Sequence, residues 1–231
     1  MDTGKGEKIV VVVDGPAGAG KSTICKLFAE KTGYCCLDTG GLYRTVAWLA
    51  RVKNVAFDNE KHLAELCRDI DITVDKNTGK ILIYADGEEM AGQIRSEEMG
   101  MGASLVSRLP LVRAALLPLQ REVGKEGGII AEGRDMGTVV FPDAEVKIFL
   151  DADLSERANR RCRELAGRGE NPDYKEIFRD ISLRDDQDRN RTAAPLKPSP
   201  DAVVVDTTGL TIDEVVDVLQ TIVRSRQGGG R

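Results

Sequence analysis

The chain is short of aromatic residues (4% Phe, Trp and Tyr, with one Trp) and carries a single histidine, His62, in 231 residues. A lone imidazole outside every motif leaves no basis for histidine acid–base chemistry, and His62 reads as structural. The five cysteines, Cys25, Cys35, Cys36, Cys67 and Cys162, show neither C-x-x-C nor Cys/His spacing. That excludes a zinc site and a disulfide framework, and predicts buried thiols in a reducing compartment. No apolar run approaches the roughly 20 residues of a membrane span, and Met1 to Lys8 is polar, so neither a span nor a signal peptide is expected. Positive charge is not in excess: the net charge is −5. A surface of that sign, without a basic stripe interleaved with aromatics, argues against nucleic acid as a partner. The expectation is a cytoplasmic protein, monomeric because no large apolar patch is readable, acting on small molecules. There is no internal repeat.

What is present is an ordinary globular composition, 41% hydrophobic and 31% charged, long enough for one large domain or two small ones. Short apolar runs at 9–13, 34–37, 128–131, 146–150 and 202–205 alternate with helical patterns. Such alternation predicts βα units, hence an α/β fold with a parallel sheet and helices on both faces. Most runs end in an acid: Asp14, Asp38, Glu132, Asp151 and Asp206. Ligands of open α/β sheets lie beyond the carboxyl ends of the strands, so several of these acids should approach the site. Residues 70–90 break the pattern and read as an antiparallel β insert, with turns at 75–80 and 86–88, residues 80–84 as its middle strand, and helices near 60–68 and from Ser96. Residues 166–172 interrupt helical patterns and read as part of a mobile lid. Pro195, Pro198 and Pro200 stiffen the entry to the last strand, and the tail 228–231 is expected to be disordered.

Gly15-Pro16-Ala17-Gly18-Ala19-Gly20-Lys21-Ser22-Thr23 matches G-x-x-x-x-G-K-[ST], between an apolar β-branched run and a helical pattern. Glycines let the backbone wrap a polyphosphate while amide N–H groups and a helix N-terminus face the anion. Lys21 then reaches the outer phosphates and Ser22 ligates Mg²⁺. The chain is therefore expected to bind ATP or another nucleoside triphosphate.

Four further segments carry charge where an anion would lie. In Asp38-Thr39-Gly40-Gly41-Leu42-Tyr43-Arg44, Thr39 suits a helix start and Arg44 either projects towards an anion or faces solvent. Glu132-Gly133-Arg134-Asp135 follows a buried strand. Arg134 suits bidentate phosphate binding, Asp135 accepts from an amine, and Glu132 is the candidate to hold Mg²⁺ through water. The bland alternative is a structural ion pair. Arg157, Arg160 and Arg161 fall at i, i+3 and i+4, one helix face, where they could neutralise charge on a transferring phosphoryl group or simply be solvated. Arg184, Asp188 and Arg191 form a helix stripe, either an internal salt-bridge ladder or a site wall, with the ladder favoured by the spacing alone.

Together, GPAGAGKST, DTGGLYR, EGRDMGTVVFPDA, VKIFLDA with ERANRR, and RDDQDRNR resemble the bacterial-type cytidylate kinases from residue 9 to about residue 206. GRDMGTVVFPDA and RDDxDRNR are the family-specific parts; the phosphate loop alone marks only the superfamily. Gly41, where the family usually has alanine, and Glu132, where aspartate is common, depart from the pattern. The resemblance implies a single P-loop kinase domain with a core (8–56, 99–155, 176–225), a monophosphate-binding β insert (57–98) and a lid (156–175). It implies phosphoryl transfer from Mg-ATP to CMP or dCMP. It also implies that Thr39, Arg44, Ser104, Arg113, Arg134, Asp135, Asp188 and Arg191 bind the monophosphate. Of these, Ser104, Arg113 and Asp135 would read cytosine and Arg44 and Arg134 would hold the phosphate. Asp188 and Arg191 would face the sugar, so that their helix, Arg184 included, becomes a site wall. The rivals are a P-loop kinase for UMP, another monophosphate or a hydroxyl metabolite, and an ATP-dependent switch. A hydroxyl acceptor would want a general base, and none stands out; a switch would not need arginines from four segments.

Overall fold

The computed structural model describes residues 8–75, 78 and 80–228. The β-branched runs form a five-stranded, wholly parallel sheet from β1 (Val10–Asp14), β2 (Cys35–Asp38), β6 (Ile129–Gly133), β7 (Val146–Asp151) and β8 (Val203–Asp206), in the order β2-β6-β1-β7-β8. Period-two alternation sends side chains to both faces. Val11 and Val13 pack with Ile24, Cys25 and Phe28 of α1 (Lys21–Thr32) and with Val215, Val216 and Leu219 of α8 (Ile212–Gly228). Val12 faces the opposite way, onto Leu37, Ala131, Met136 and Val140. Cys35 and Cys36 divide between the same two faces. The cysteines are all free, but only Cys25 and Cys67 are fully buried; Cys35, Cys36 and Cys162 are half-buried, which corrects the expectation of five buried thiols.

A second apolar core lies under α2 (Thr39–Val52), α3 (Glu60–Leu66), α4 (Glu97–Val106) and α5 (Pro110–Gly124), built from Leu42, Val46, Leu49, Leu63, Val106, Val112 and Leu116. It is roofed by the expected antiparallel insert, β3 (Ile70–Asp75), β4 (Lys80–Ala85) and β5 (Glu88–Glu89), with β4 in the middle. Asp86 and Gly87, at φ 49° and 83°, close the β4–β5 hairpin in the left-handed region that an Asp-Gly turn favours. Lys76, Asn77 and Gly79 of the other turn, and Gly229, Gly230 and Arg231 of the tail, lie outside the described residues.

α6 (Leu154–Gly167) and α7 (Tyr174–Asn190) flank the 168–173 break, and Asp173 caps α7 by accepting from the Lys175 and Glu176 amides at 2.7 and 3.2 Å. Ala158 and Ile181 press this pair onto Ala17 of the phosphate loop. Among the described residues no single helix is long and apolar enough to cross a membrane.

Candidate active site

The loop between β1 and α1 needs its glycines. Gly15 has φ 148°, and a Cβ there would strike the Leu150 carbonyl oxygen of β7. Gly18 has φ 76°, and a Cβ would sit 3.1 Å from Arg157 Cβ. Ala19 is buried, while Ser22 and Thr23 are exposed on the first turn of α1, whose N-cap is Gly20. Lys21 is 6% exposed and donates its Nζ to the Pro16 carbonyl at 2.6 Å. Burial, and then the neighbouring Arg134 guanidinium, hold the Lys21 ammonium well below its ordinary pKa. An anion placed between these cations would relieve both.

Three of the five strand-end acids gather here. Ser22 Oγ donates to Glu132 Oε2 at 2.8 Å, while Glu132 Oε1 is buried without a hydrogen-bond partner. Burial, then the charge of Asp38, push the Glu132 carboxyl up. A serine hydroxyl beside an orphaned carboxylate oxygen is a hard oxygen donor set, which fits Mg²⁺. Asp38 caps α2 by accepting from the Gly41 amide at 3.1 Å and pairs with Arg44 at 2.6 Å. Thr39 is therefore not the helix cap; its hydroxyl donates to the Glu132 carbonyl at 2.7 Å and ties β2 to β6. Gly41 also has a local reason: a Cβ there would meet Ile83 Cδ1 of β4 at 2.8 Å. Asp151 and Asp206 stay on the β7–β8 side, bonded to the Ala152 and Thr208 amides.

Beyond β6 the remaining residues converge. Asp135 pairs with Arg113 and, at 3.5 Å, with Arg191. Arg113 also donates to the Ser107 carbonyl at 3.0 Å and lies 5.6 Å from the centroid of the Tyr43 ring, a cation–π contact. Arg134 Nε pairs with Asp188 at 2.8 Å, and Asp188 lies 3.8 Å from Arg191. Burial opposes ionisation of Asp188, yet Arg134, Arg191 and Arg184 together hold its carboxyl below the usual range. The charged stripe at the end of α7 thus pairs across segments through Arg134, and also keeps a longer contact of its own between Asp188 and Arg191. Arg184 is half-buried, and burial plus the proximity of Arg134, Arg161 and Arg44 lowers its pKa. Ser104 faces Gln187, donating at 3.3 Å. A cavity of about 260 Å³ opens beside this set, lined by Tyr43, Arg113, Gln120 and Asp135 against Leu117 and Val140.

The three arginines of α6 do not share one face in one role. Arg157 is 3% exposed and pairs with Asp185 at 2.6 Å while donating to the Ala17 and Ala152 carbonyls. Arg160 turns to Glu156 and to Thr207, and Arg161 pairs with Glu164. Helical spacing brought their Cα atoms together, but Asp185 of α7, Glu156 and Glu164 of α6, and Thr207 after β8 draw the guanidinium groups apart. Sequence reasoning passed over Tyr43, Asp185 and Gln187, all inside quoted motifs, and Gln120, which carries no local signal. Asp14 and Asp38 were seen only as strand ends.

The model of the cytidylate kinase family matches residues 11–225. A cytidylate kinase of Geobacter sp. (strain M21) is 47% identical over 96% of this chain and 95% of its own length. That of Aliivibrio salmonicida (strain LFI1238) is 47% identical over 94% and 97%. In fold, an uncharacterized protein from Eubacterium ventriosum ATCC 27560 is similar at a TM-score of 0.51 and 10% identity, covering 94% of this chain and 99% of that one. With the family pattern running through both the phosphate loop and the Asp135 loop, this chain belongs to the cytidylate kinase family.

Proposed function

We propose that the chain transfers the γ-phosphoryl group of ATP to CMP or dCMP, giving ADP with CDP or dCDP. The observation that carries this reading is the cation cluster between the two loops: Lys21 beside Arg134, with Arg44, Arg161 and Arg184 around it. A site that concentrates this much positive charge in low-dielectric surroundings suits two phosphate groups brought together. The acceptor phosphate is already an anionic nucleophile, so no general base is required, consistent with an exposed His62 on α3. Lys21 and the loop amides would hold the donor phosphates in line with an acceptor phosphate fixed by Arg44 and Arg134. Ser22, and Glu132 through water, would hold Mg²⁺, which when bound neutralises charge on the donor phosphates. Thr39 would act by bracing the strand ends.

Cytosine presents an amine donor beside ring acceptors, and the Arg113–Asp135 pair supplies an acceptor and donors at one edge; Ser104 adds a hydroxyl. Asp188 and Arg191 would face the sugar. Arg160 and Arg161 belong to the lid reading, in which α6, α7 and the β insert close over the substrates and exclude water; Arg157 would be its buried anchor. The scheme calls for no side chain from a second copy, and we propose a monomer as the working unit.

The test is ADP release from Mg-ATP with CMP, dCMP, UMP, AMP and GMP as separate acceptors. Stimulation by CMP and dCMP is expected; stimulation by none would favour a nucleotide-dependent switch. Asp135→Ala should lower the CMP-to-UMP ratio of kcat/KM by about tenfold or more, the worth of one hydrogen-bonding group that reads an edge. Equal losses for all acceptors would count against base reading.

A further inference from the structure

Asp14 is a buried acid that the scheme above does not use. It ends β1 one peptide before Gly15, and its carboxylate accepts from two amides of a different segment: Met136 N–H at Oδ1 and Gly137 N–H at Oδ2, both 2.8 Å. Those amides open a π-turn, Met136–Val140, closed by the Phe141 amide on the Met136 carbonyl at 2.7 Å. A turn of this kind is uncommon and leaves its first N–H groups in need of acceptors. The residue placed to cap it is Asp135, whose side chain makes no capping bond because it is turned to Arg113 and Arg191. Asp14 supplies the missing cap from the neighbouring strand and so leaves Asp135 available for the acceptor. The bridge is 4% exposed at Asp14 and 1% at Met136, so water does not substitute for it.

We infer that Asp14 is a positioning residue that couples the donor loop to the acceptor loop, its backbone leading into one and its side chain holding the other. This rests on the acceptor reading above. Ordering of Gly15–Gly20 around a polyphosphate fixes the end of β1, and with it the aim of Asp135. Donor and acceptor therefore bind with positive coupling, and Asp14 carries it.

The decisive variant is Asp14→Asn, which keeps one acceptor oxygen and sets an amide N–H₂ against a backbone N–H. KM for CMP should rise about tenfold, as expected for a charge-assisted bond lost, while binding of the ATP analogue measured without CMP changes by less than about twofold. The several-fold tightening of CMP binding by a non-hydrolysable ATP analogue, expected in the wild type, should fall towards one. Equal weakening of CMP and of the ATP analogue, each bound alone, or a kcat loss alone, would overturn the assignment and leave Asp14 a fold residue. Amide exchange in the wild type answers independently of whether the variant folds. The ATP analogue alone should slow exchange at Met136 and Gly137, and unchanged rates would overturn the coupling. Wild-type turnover that CMP does not stimulate would sink the acceptor reading itself; normal CMP turnover with an unaltered acceptor KM in the variant would sink this inference alone.

Discussion

Lys21 shows how a functional side chain can weigh against the fold that carries it. Its ammonium is buried beside Arg134, and its Nζ donates to the Pro16 carbonyl. Lys21→Ala is expected to cut kcat/KM by about 10³-fold, roughly 4 kcal/mol of transition-state stabilisation. The denaturant midpoint should stay at or above the wild-type value, since a poorly solvated charge is removed. A matched fall in midpoint and turnover would mean that Lys21 is structural. Asp14 gives a signed pH prediction. Burial raises its carboxyl from 3.8 to about 6, against the pull of the Gly137 and Met136 amides. The folded state thus keeps a proton that the unfolded chain has released. The contribution of Asp14 to stability is greatest below about pH 4, declines by on the order of 3 kcal/mol as pH rises to about 6, and is flat above. Wild-type unfolding free energy relative to Asp14→Asn, followed from pH 4 to 7, should trace that decline; a difference rising with pH would refute it.

At the level of elements, α6 separates two kinds of arginine that spacing alone had grouped. Arg157→Ala leaves Asp185 charged and unpaired in the joint between α6, α7 and the phosphate loop, where both side chains are about 5% exposed or less. The expected cost is about 3–5 kcal/mol, measured by urea denaturation. The pair that Arg161→Ala loses with Glu164 is part-exposed, so that loss should cost under about 1 kcal/mol while kcat falls. Should the two variants be equally unstable, the division of roles is wrong. The helix start of α2 shows the same dependence on surroundings. Asp38 both caps the helix and pairs with Arg44, and Ile83 from the β insert occupies the space above Gly41. A residue that looks like a helix-weakening departure is a packing accommodation.

For the molecule as a whole, the two cores differ in how completely they are covered. β6 is buried along its whole length and β1 nearly so, between helices on both faces, whereas β3 and β5 are largely exposed and β4 is only half-buried. Native-state hydrogen exchange should therefore find β1 and β6 amides exchanging only through global unfolding. Amides of β3–β5 should open at a clearly lower free energy, as a separate unit. Uniform protection across both sheets would show one cooperative block. A lower opening cost suits a segment that is proposed to move over the acceptor.

The sequence by itself determined the parallel α/β core, the antiparallel insert and the phosphate loop, because period-two apolar runs, an Asp-Gly turn and the spacing of Gly15, Gly18, Gly20 and Lys21 are local facts of the chain. It also marked Arg134, Asp135, Asp188 and Arg191 as charged loop and helix residues, though their grouping rested on resemblance. Tertiary structure decided which guanidinium meets which carboxylate: Arg157 with Asp185, Arg134 with Asp188, and Arg113 with Asp135 across 22 residues of chain. It decided too that Thr39 ties two strands and that Asp14 caps a turn 122 residues away. Periodicity places a Cα on a face, but a long charged side chain goes where desolvation and an opposite charge balance, and those partners come from other elements.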